Sequence, residues 1–497
     1  MSAGIFRWFG AAFAIAIFAY VLTTAPVVPS EQTWPALALP LFRVVFAILL
    51  WVRLHRLGRR PLMVWATPYL LPGGRRVTLG QVLAIWQLFA LALAAGLATP
   101  IAAGACFACE LVVFSRTYTR SLEDVLFQAV LFFLIFVGAG GHPSVDAWLG
   151  LGWIDPFDHV LARNVWWLSF ALIMFSAGFE KLCSPLWRRG LGFNYFVGLP
   201  HLVQRPFTFL RQFERFGWML SWTTVIAELS LLPAALLPEA RVVVTLVLVG
   251  FAISLFVVVD LSFIGQVTLL VLLLFGSGDA AILLHRTPAT GHAPGASPLV
   301  LAALALCAVA IVGVTEVPLG FARRFFAAVS RFTIGVIPNR VFTEVQLYGI
   351  YIYRVVAVGA DGTERPLVQT FLDDGSQGPL QRWEPRVYLK FTYEVTDYCL
   401  RYLRDGEQRA QSTSHYAAVE ALMRAAFAEL GGSGAFASKV VLYVRSVEAD
   451  EAARSHDGRF TMSDWVGVLE CTVANGTLGA PVHVSVPPPI RNTRRLA

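Results

Sequence analysis

Lys181 is the residue of this sequence best suited to carry chemistry, because it closes an apolar stretch in a chain with only two other lysines. Ala177 and Gly178 precede it by four and three residues and share its helical face, where they leave room for a neighbouring helix or a flat ligand. A partly desolvated lysine releases its proton more readily and can act as a base or stabilise charge. Alternatively, Lys181 reaches from a helix end to lipid phosphates.

Other ionisable residues also interrupt apolar stretches, at a cost of about 2.5 to 3.5 kcal/mol each on membrane-insertion scales. They are Arg43, Glu110, Glu180, Glu228 and Asp260. In one interpretation, Arg43 pairs with Glu110 or Glu228 and pins the helices together. In another, Arg43 and Glu228 shape a pocket around Lys181. The sequence leaves both interpretations open.

Three stretches of the chain match elements of one known family. Ala177-Gly-Phe-Glu-Lys-Leu, followed by Trp187 and Gly190, resembles its "AG-x-x-KL … W-x-x-G" element. Leu39-Pro-Leu-Phe-Arg-Val-Val-Phe-Ala resembles its early arginine-containing span through Arg43, and Ala227-Glu-Leu-Ser-Leu-Leu-Pro resembles a later span through Glu228. The family is the HTTM superfamily, the bacterial relatives of vitamin K-dependent gamma-carboxylase. The similarity covers roughly residues 36 to 280.

The resemblance implies that Lys181 is the base that deprotonates a hydroquinone, with Glu228 and Arg43 as the other catalytic candidates. It also implies a quinone or hydroquinone as cofactor. The candidates for substrate binding are Gly178, Trp187 and His142. An amine suits this step, since deprotonating a quinol requires a neutral amine that is accessible near neutral pH.

Cys106 and Cys109 form a C-x-x-C pair inside an apolar stretch. On a helix their sulfurs share one face, where they could exchange electrons with a quinone. More often, small residues of this kind simply let helices pack closely. The other four cysteines are scattered and suggest no disulfide framework.

The loop between His142 and His159 contains three aspartates, which raises the question of a metal site. The loop has no close histidine pair such as H-x-x-x-H, and aspartates beside Gly and Pro commonly form turns. We therefore expect no metal ion in this loop.

The composition is that of a membrane protein. Hydrophobic residues make up 57% of the chain and charged residues 14%, with a mean hydropathy of +0.64, against about 45 to 50% and about 25% in soluble domains. Residues 1–330 contain ten apolar segments, or nine if the two around Asp260 merge. We therefore predict a polytopic α-helical membrane bundle of 9–10 spans. The segments lie at 9–28, 36–52, 81–97, 99–115, 125–141, 164–180, 216–237, 241–259, 262–277 and 298–319.

The distribution of Lys and Arg predicts the orientation. Nineteen lie in segments on the side of the N-terminus and three in the opposite loops, and the more basic side of a membrane protein normally faces the cytoplasm. We expect a multi-pass protein of the bacterial inner membrane with both termini cytoplasmic. The net charge of +7 then suggests contact with anionic lipid and not with nucleic acid.

Residues 341–497 show a different pattern, which predicts a cytoplasmic, soluble α+β domain. Alternating residues predict strands at 346–356, 367–371, 440–447 and 465–473, and a helix at 415–430. The basic, Pro-rich tail from Pro487 is expected to be disordered. This domain is a candidate surface for protein partners.

Two functions fit these features. The first is a membrane enzyme that acts on a quinol or another lipophilic substrate with Lys181 as base. The second is a non-catalytic scaffold or accessory subunit that docks partners through residues 341–497. A transporter is less well supported, because the sequence has no inverted repeat and no paired broken helices.

Overall fold

The computed structural model describes twelve stretches of the chain and a few single residues between them. The stretches are residues 37–58, 79–114, 122–137, 143–150, 159–193, 214–258, 262–285, 349–369, 385–430, 437–449, 460–474 and 477–489. The predicted spans at 9–28 and 298–319, as well as His142 and Asp260, lie outside these stretches.

The first seven stretches are helical. They contain α1 (Ala38–Gly58), α2 (Leu79–Ala95), α3 (Thr99–Phe114), α4 (Leu122–Leu134), the short α5 (Val145–Trp148), α6 (His159–Cys183), the short α7 (Pro185–Arg188), α8 (Glu214–Ser230), α9 (Pro238–Val257) and α10 (Ser262–His285). A 3-10 turn at Pro233–Leu236 connects α8 to α9. Helices that follow one another closely along the chain pack as neighbours, and α10 also packs on α1.

The prediction of a polytopic bundle with 9–10 spans is wrong for the stretches that the structure describes. Only two helices there are long and apolar enough to cross a membrane, at Ala38–His55 in α1 and Val165–Cys183 in α6. Helices α2 and α3 have 17 and 16 residues, or about 26 and 24 Å, whereas a hydrocarbon core is about 30 Å thick. The predicted segments 81–97 and 99–115 have 17 residues each, close to the lengths of these helices, so the error was to count segments of this length as full spans.

Trp166 of α6 lies at the centre of the helical core and is 2% exposed. Its ring centroid is 5.3 Å from that of Phe42 in α1, 5.7 Å from Phe133 in α4 and 5.3 Å from Phe275 in α10. Aromatic pairs of this kind add about 0.5 to 1.5 kcal/mol beyond the burial of their area. Trp166 therefore holds α6 against three other helices.

The later stretches form an antiparallel sheet with helices. The elements are β1 (Gly349–Gly359), β2 (Glu364–Gln369), α11 (Pro385–Asp405), α12 (Glu407–Gln411), α13 (Ser414–Leu430), β3 (Ala437–Ala449), β4 (Phe460–Met462), β5 (Val466–Ala474), β6 (Thr477–Leu478) and β7 (Val482–His483). The strand order is β2-β1-β3-β5-β6, with β4 beside β3 and β7 beside β5.

Alternation along β1 divides the two faces of the sheet. Tyr351 and Tyr353 belong to a core that includes Phe391 of α11, whereas Ile350 and Ile352 form a separate cluster with Val447 of β3. The structure therefore has strands and a helix where the alternating pattern predicts them, with bounds that differ by a few residues. It adds α11, which the sequence reading did not identify.

The prediction of a disordered tail is wrong at its first residues. Pro487 is buried, and the carbonyl of Pro488 accepts a hydrogen bond from the Tyr351 hydroxyl at 2.5 Å. Proline lacks an N–H, but its carbonyl remains a full acceptor. The start of the tail is therefore fixed to the sheet.

Candidate functional site

Lys181 and Glu228 form a buried ion pair between α6 and α8. The Lys181 Nζ lies 2.7 Å from Oε1 and 2.6 Å from Oε2 of Glu228. Lys181 is 5% exposed and Glu228 is 2% exposed. The structure thus brings together two of the three predicted catalytic residues, and the lysine is held inward by a carboxylate.

Gly178 lets the two helices approach closely at this pair. A Cβ at this position would be 2.8 Å from the Cβ of Glu228 and 3.0 Å from the backbone nitrogen of Leu229. Real Cβ atoms do not tolerate such contacts, so the helices would have to move apart. The predicted small residue on the face of Lys181 therefore faces a neighbouring helix in this structure.

Trp187 covers the other side of the ammonium group. The centroid of its ring lies 5.5 Å from the Lys181 Nζ, within the range of a cation–π contact. Trp187 is 4% exposed, and a Cβ on Gly192 would be 2.2 Å from its ring. The ring is thus enclosed between Lys181 and the backbone that follows α7.

Ser221 of α8 fastens the corner after α7. Its hydroxyl accepts from the Phe193 N–H at 2.9 Å and lies 3.0 Å from the carbonyl of Gly190 and 2.8 Å from that of Gly217. Gly190 has φ +73°, and a Cβ there would be 2.0 Å from the Trp218 ring. Sequence reasoning missed Ser221, because nothing in the sequence distinguishes it from other serines in apolar stretches.

Arg43 does not take part in this pair, and the predicted pairing of Arg43 with Glu110 or Glu228 is wrong. Its guanidinium donates to the carbonyl of Ala139 at 2.5 Å and to that of Pro143 at 2.7 Å. A Cβ on Gly96 would be 2.7 Å from the guanidinium carbon. Arg43 is fully buried and fastens α1 to the turn that precedes α5.

Arg53 is the cation that Glu110 binds. Its guanidinium lies 2.9 Å from Glu110 of α3, 2.7 Å from Asp124 and 3.5 Å from Glu123, both of α4. The guanidinium carbon also lies 4.4 Å from the ring centroid of Phe127. The sequence analysis did not single out Arg53, although three acids in or beside apolar stretches were a signal that a buried cation was needed.

The two cysteines of the C-x-x-C pair lie in α3, where Cys106 is buried and Cys109 is half-buried, both as free thiols. Cys106 is part of the helical core, which agrees with a packing role. The redox interpretation stays a prediction. Across the described stretches, no three His, Cys, Asp or Glu side chains are grouped so that they could hold a metal ion.

An apolar crevice lies between α4, α6 and α10. Its lining includes Phe133, Phe170, Ile173 and Val271, with Thr268 as a polar member. Ile173 precedes Lys181 by eight residues on the same helix, which corresponds to about 12 Å. The crevice and the ion pair are therefore separate features of one helix.

The ion pair can move a proton between its two partners. The charged form has an ammonium and a carboxylate, and the transfer of one proton from Nζ to Glu228 gives a neutral amine and a carboxylic acid. Low local polarity narrows the free-energy difference between these forms, since burial disfavours charge. The neutral form contains the amine that a base requires.

Comparison of the chain with models of known families, with curated proteins and with solved structures finds no match. The resemblance to the HTTM superfamily therefore stays a prediction that rests on the three stretches around Arg43, Lys181 and Glu228.

Proposed function

We propose that the chain is embedded in a bacterial inner membrane and contacts its lipid through exposed apolar helix faces. Leu41 of α1 is 62% exposed, Leu88 of α2 65%, Leu246 of α9 65% and Trp218 of α8 54%. Large apolar side chains that are exposed on several helices favour an apolar surrounding. The helices α1 and α6 are the proposed spans.

We further propose that the chain is an enzyme that takes a proton from a lipophilic substrate such as a hydroquinone. The observation that carries this proposal is the buried ion pair of Lys181 and Glu228, capped by the Trp187 ring. A lysine that is buried and paired with a glutamate among apolar helices is a functional candidate.

The proposed step moves protons only between named atoms. The Lys181 Nζ first passes a proton to Glu228, which leaves a neutral amine. That amine takes the proton of the substrate hydroxyl, so that an O–H bond breaks and an N–H bond forms. The resulting ammonium lies beside the new oxyanion and stabilises it. Trp187 excludes water from the amine.

Native mass spectrometry of the gently extracted full chain, combined with lipid extraction, tests this proposal. We expect a co-purifying quinone that is lost in Lys181→Ala. Lys439→Ala is the matched control, because Lys439 also pairs with a glutamate, Glu470, at 2.9 Å but is 40% exposed. Absence of any quinone from the wild-type chain, or equal loss in both variants, contradicts the proposal.

Lys181→Arg tests the chemistry and not only binding. Arginine keeps the positive charge but does not give up its proton. We expect this variant to assemble but not to oxidise added menadiol in air, whereas the wild type and Lys439→Arg retain this activity. Equal rates in all three proteins mean that Lys181 is not the base.

A scaffold is the second candidate, favoured by the observation that both oxygens of Glu228 are engaged by Lys181. A pair of this kind can simply join two helices. A scaffold predicts stoichiometric protein partners and no quinone in the same mass spectra. It also predicts that partners remain bound when the pair is replaced by Lys181→Met together with Glu228→Leu.

A further inference from the structure

The C-terminal strap, residues 481–489, is held to the sheet by tyrosine hydroxyls from three different elements. Tyr351 of β1 donates to the carbonyl of Pro488, and Tyr416 of α13 donates to that of Pro481 at 3.3 Å. The hydroxyl of Tyr398 in α11 contacts Nε2 of His483. Proline-rich segments also dock in grooves lined by aromatic side chains in peptide-recognition domains.

Within the described stretches, few other contacts hold the strap. The strap pairs with β5 at two positions, where His483 lies opposite Leu469 and Val482 lies opposite Glu470. The Val484 N–H also donates to the carbonyl of Val468 at 3.2 Å. The alternating valines face outward: Val482 is 62% exposed, Val484 49% and Val486 60%. Valines that stay in water add little to docking, so His483 and the buried Pro481 anchor the first half of the strap.

His483 lies in a pocket of tyrosine rings. Its ring centroid is 4.3 Å from that of Tyr402 and 5.7 Å from that of Tyr398. Its Nε2 faces the Tyr398 hydroxyl, while its Nδ1 is buried and has no partner in good hydrogen-bond geometry among the described residues. In the imidazolium both nitrogens carry a proton, and the burial of this charge among the tyrosine rings is costly.

We propose that residues 481–489 form a proton-controlled strap, which is docked while His483 is neutral and leaves the tyrosine pocket and the edge of β5 when His483 is protonated. The exposed edge would then offer unpaired backbone groups to another strand. The strap is a device of the sheet and does not depend on the proposed chemistry at Lys181.

The groups that face His483 decide the direction of its response. They are Tyr398 and Tyr402 of α11 and Glu407 of α12. Behind them, Tyr416 of α13 contacts the ring of Tyr398, and Cys471 of β5 acts on Tyr416. Burial lowers the pKa of His483 below its ordinary value of 6.5, although Glu407 and the carbonyls of Val468 and Ser485 act in the opposite direction. Because the pKa of His483 is lowered in the docked state, docking is favoured above pH 6.5 and is lost as the pH falls below that value.

Hydrogen exchange of the full chain, with labelling times scaled for the intrinsic effect of pH, tests the strap. When the pH is lowered from 7.5 to 5, we expect amide exchange across residues 466–486 to speed up. The increase should be about tenfold for each unit by which the pKa of His483 is lower in the docked strap than in the released strap. Exchange across β1 should not speed up, which shows that the sheet remains folded. His483→Phe fills the pocket without titrating and should remove the response.

His483→Gln is a second neutral variant, which can still bind the Tyr398 hydroxyl and keeps the test valid if His483→Phe misfolds. His415→Gln is the matched control, because this histidine lies in the same sheet domain but outside the pocket, and it should leave the response intact. The proposal is overturned if wild-type exchange across residues 466–486 does not change with pH. It is also overturned if either neutral variant keeps the wild-type response.

Discussion

Gly178 of α6 lies directly against Glu228 of α8, so that a methyl group at position 178 would be 2.8 Å from the Cβ of Glu228. The same glycine lies one helical turn before Lys181, whose ammonium group binds that glutamate. The length of the lysine side chain and the closeness of the helices are therefore matched, since a wider separation would pull the two charges apart inside an apolar region.

Gly178→Ala should destabilise the protein by about 1 to 3 kcal/mol, because overpacking forces the helices apart. Thermal unfolding in detergent measures the effect. Gly250→Ala in α9 is the matched control, since a Cβ there meets no atom within 4 Å and alanine is the better helix former. Equal destabilisation of both variants would show that the helices do not touch at Gly178.

Lys181→Met should cost about 3 to 5 kcal/mol of unfolding free energy, because it leaves the Glu228 carboxylate buried and unpaired. Adding Glu228→Leu should restore much of the loss, since the apolar pair removes the unpaired charge. Chemical denaturation of both proteins measures the difference. A double variant no more stable than the single one refutes a buried pair.

Arg53→Lys should destabilise the protein by about 1 to 3 kcal/mol, because one ammonium cannot reproduce the planar fork that reaches acids on two helices. Arg188→Lys is the control, as Arg188 is exposed and exposed substitutions usually change stability by less than about 0.5 kcal/mol. Equal unfolding midpoints for the two variants would argue against the contacts with Glu110 and Asp124.

Stability above pH 6.5 should depend on His415. Its Nδ1 lies 2.7 Å from Oε2 of Glu394, and this hydrogen bond raises the pKa of His415 above its ordinary value of 6.5. The stabilisation is therefore complete below 6.5 and is lost as the pH rises through the raised pKa. We expect about 1 kcal/mol at most, because both groups are partly exposed.

Glu394→Gln should flatten this pH dependence, as measured by the unfolding midpoint at several pH values. Glu420→Gln is the control, because Glu420 pairs with Arg424 on the surface of α13 and not with a histidine. If Glu394→Gln keeps the full slope, His415 is not the group that titrates.

The sequence was informative where a property is local. The small residue one turn before Lys181 predicted a close approach at Gly178, and alternation located β1 and β3. The partner of each buried charge is not local: Arg53 contacts Glu110 across 57 positions and Asp124 across 71. Which helices meet depends on the whole fold, so the sequence was as compatible with a pairing of Arg43 with Glu110 as with the observed pairing of Arg53 with Glu110.

The number of spans was wrong for a different reason. The segment predicted at 81–97 has 17 residues, the same number as α2, which ends at Ala95, just before Gly96 takes φ +70°. Arg43 and Ser144 lie against Gly96 at this turn. The length of the segment therefore agrees with the helix, and the error was to count a segment of 17 residues as a full span.

The contacts of Arg53 also constrain how the chain is made. A ribosome adds about 5 to 20 residues per second, so Glu110, which follows Arg53 by 57 positions, is synthesised about 3 to 11 seconds later. During that interval the guanidinium has none of its three acids, and α1 is an apolar helix with an uncompensated charge. The nascent chain must keep Arg53 hydrated or sheltered until α3 and α4 have been synthesised, so these three helices enter their final surroundings together and not one at a time.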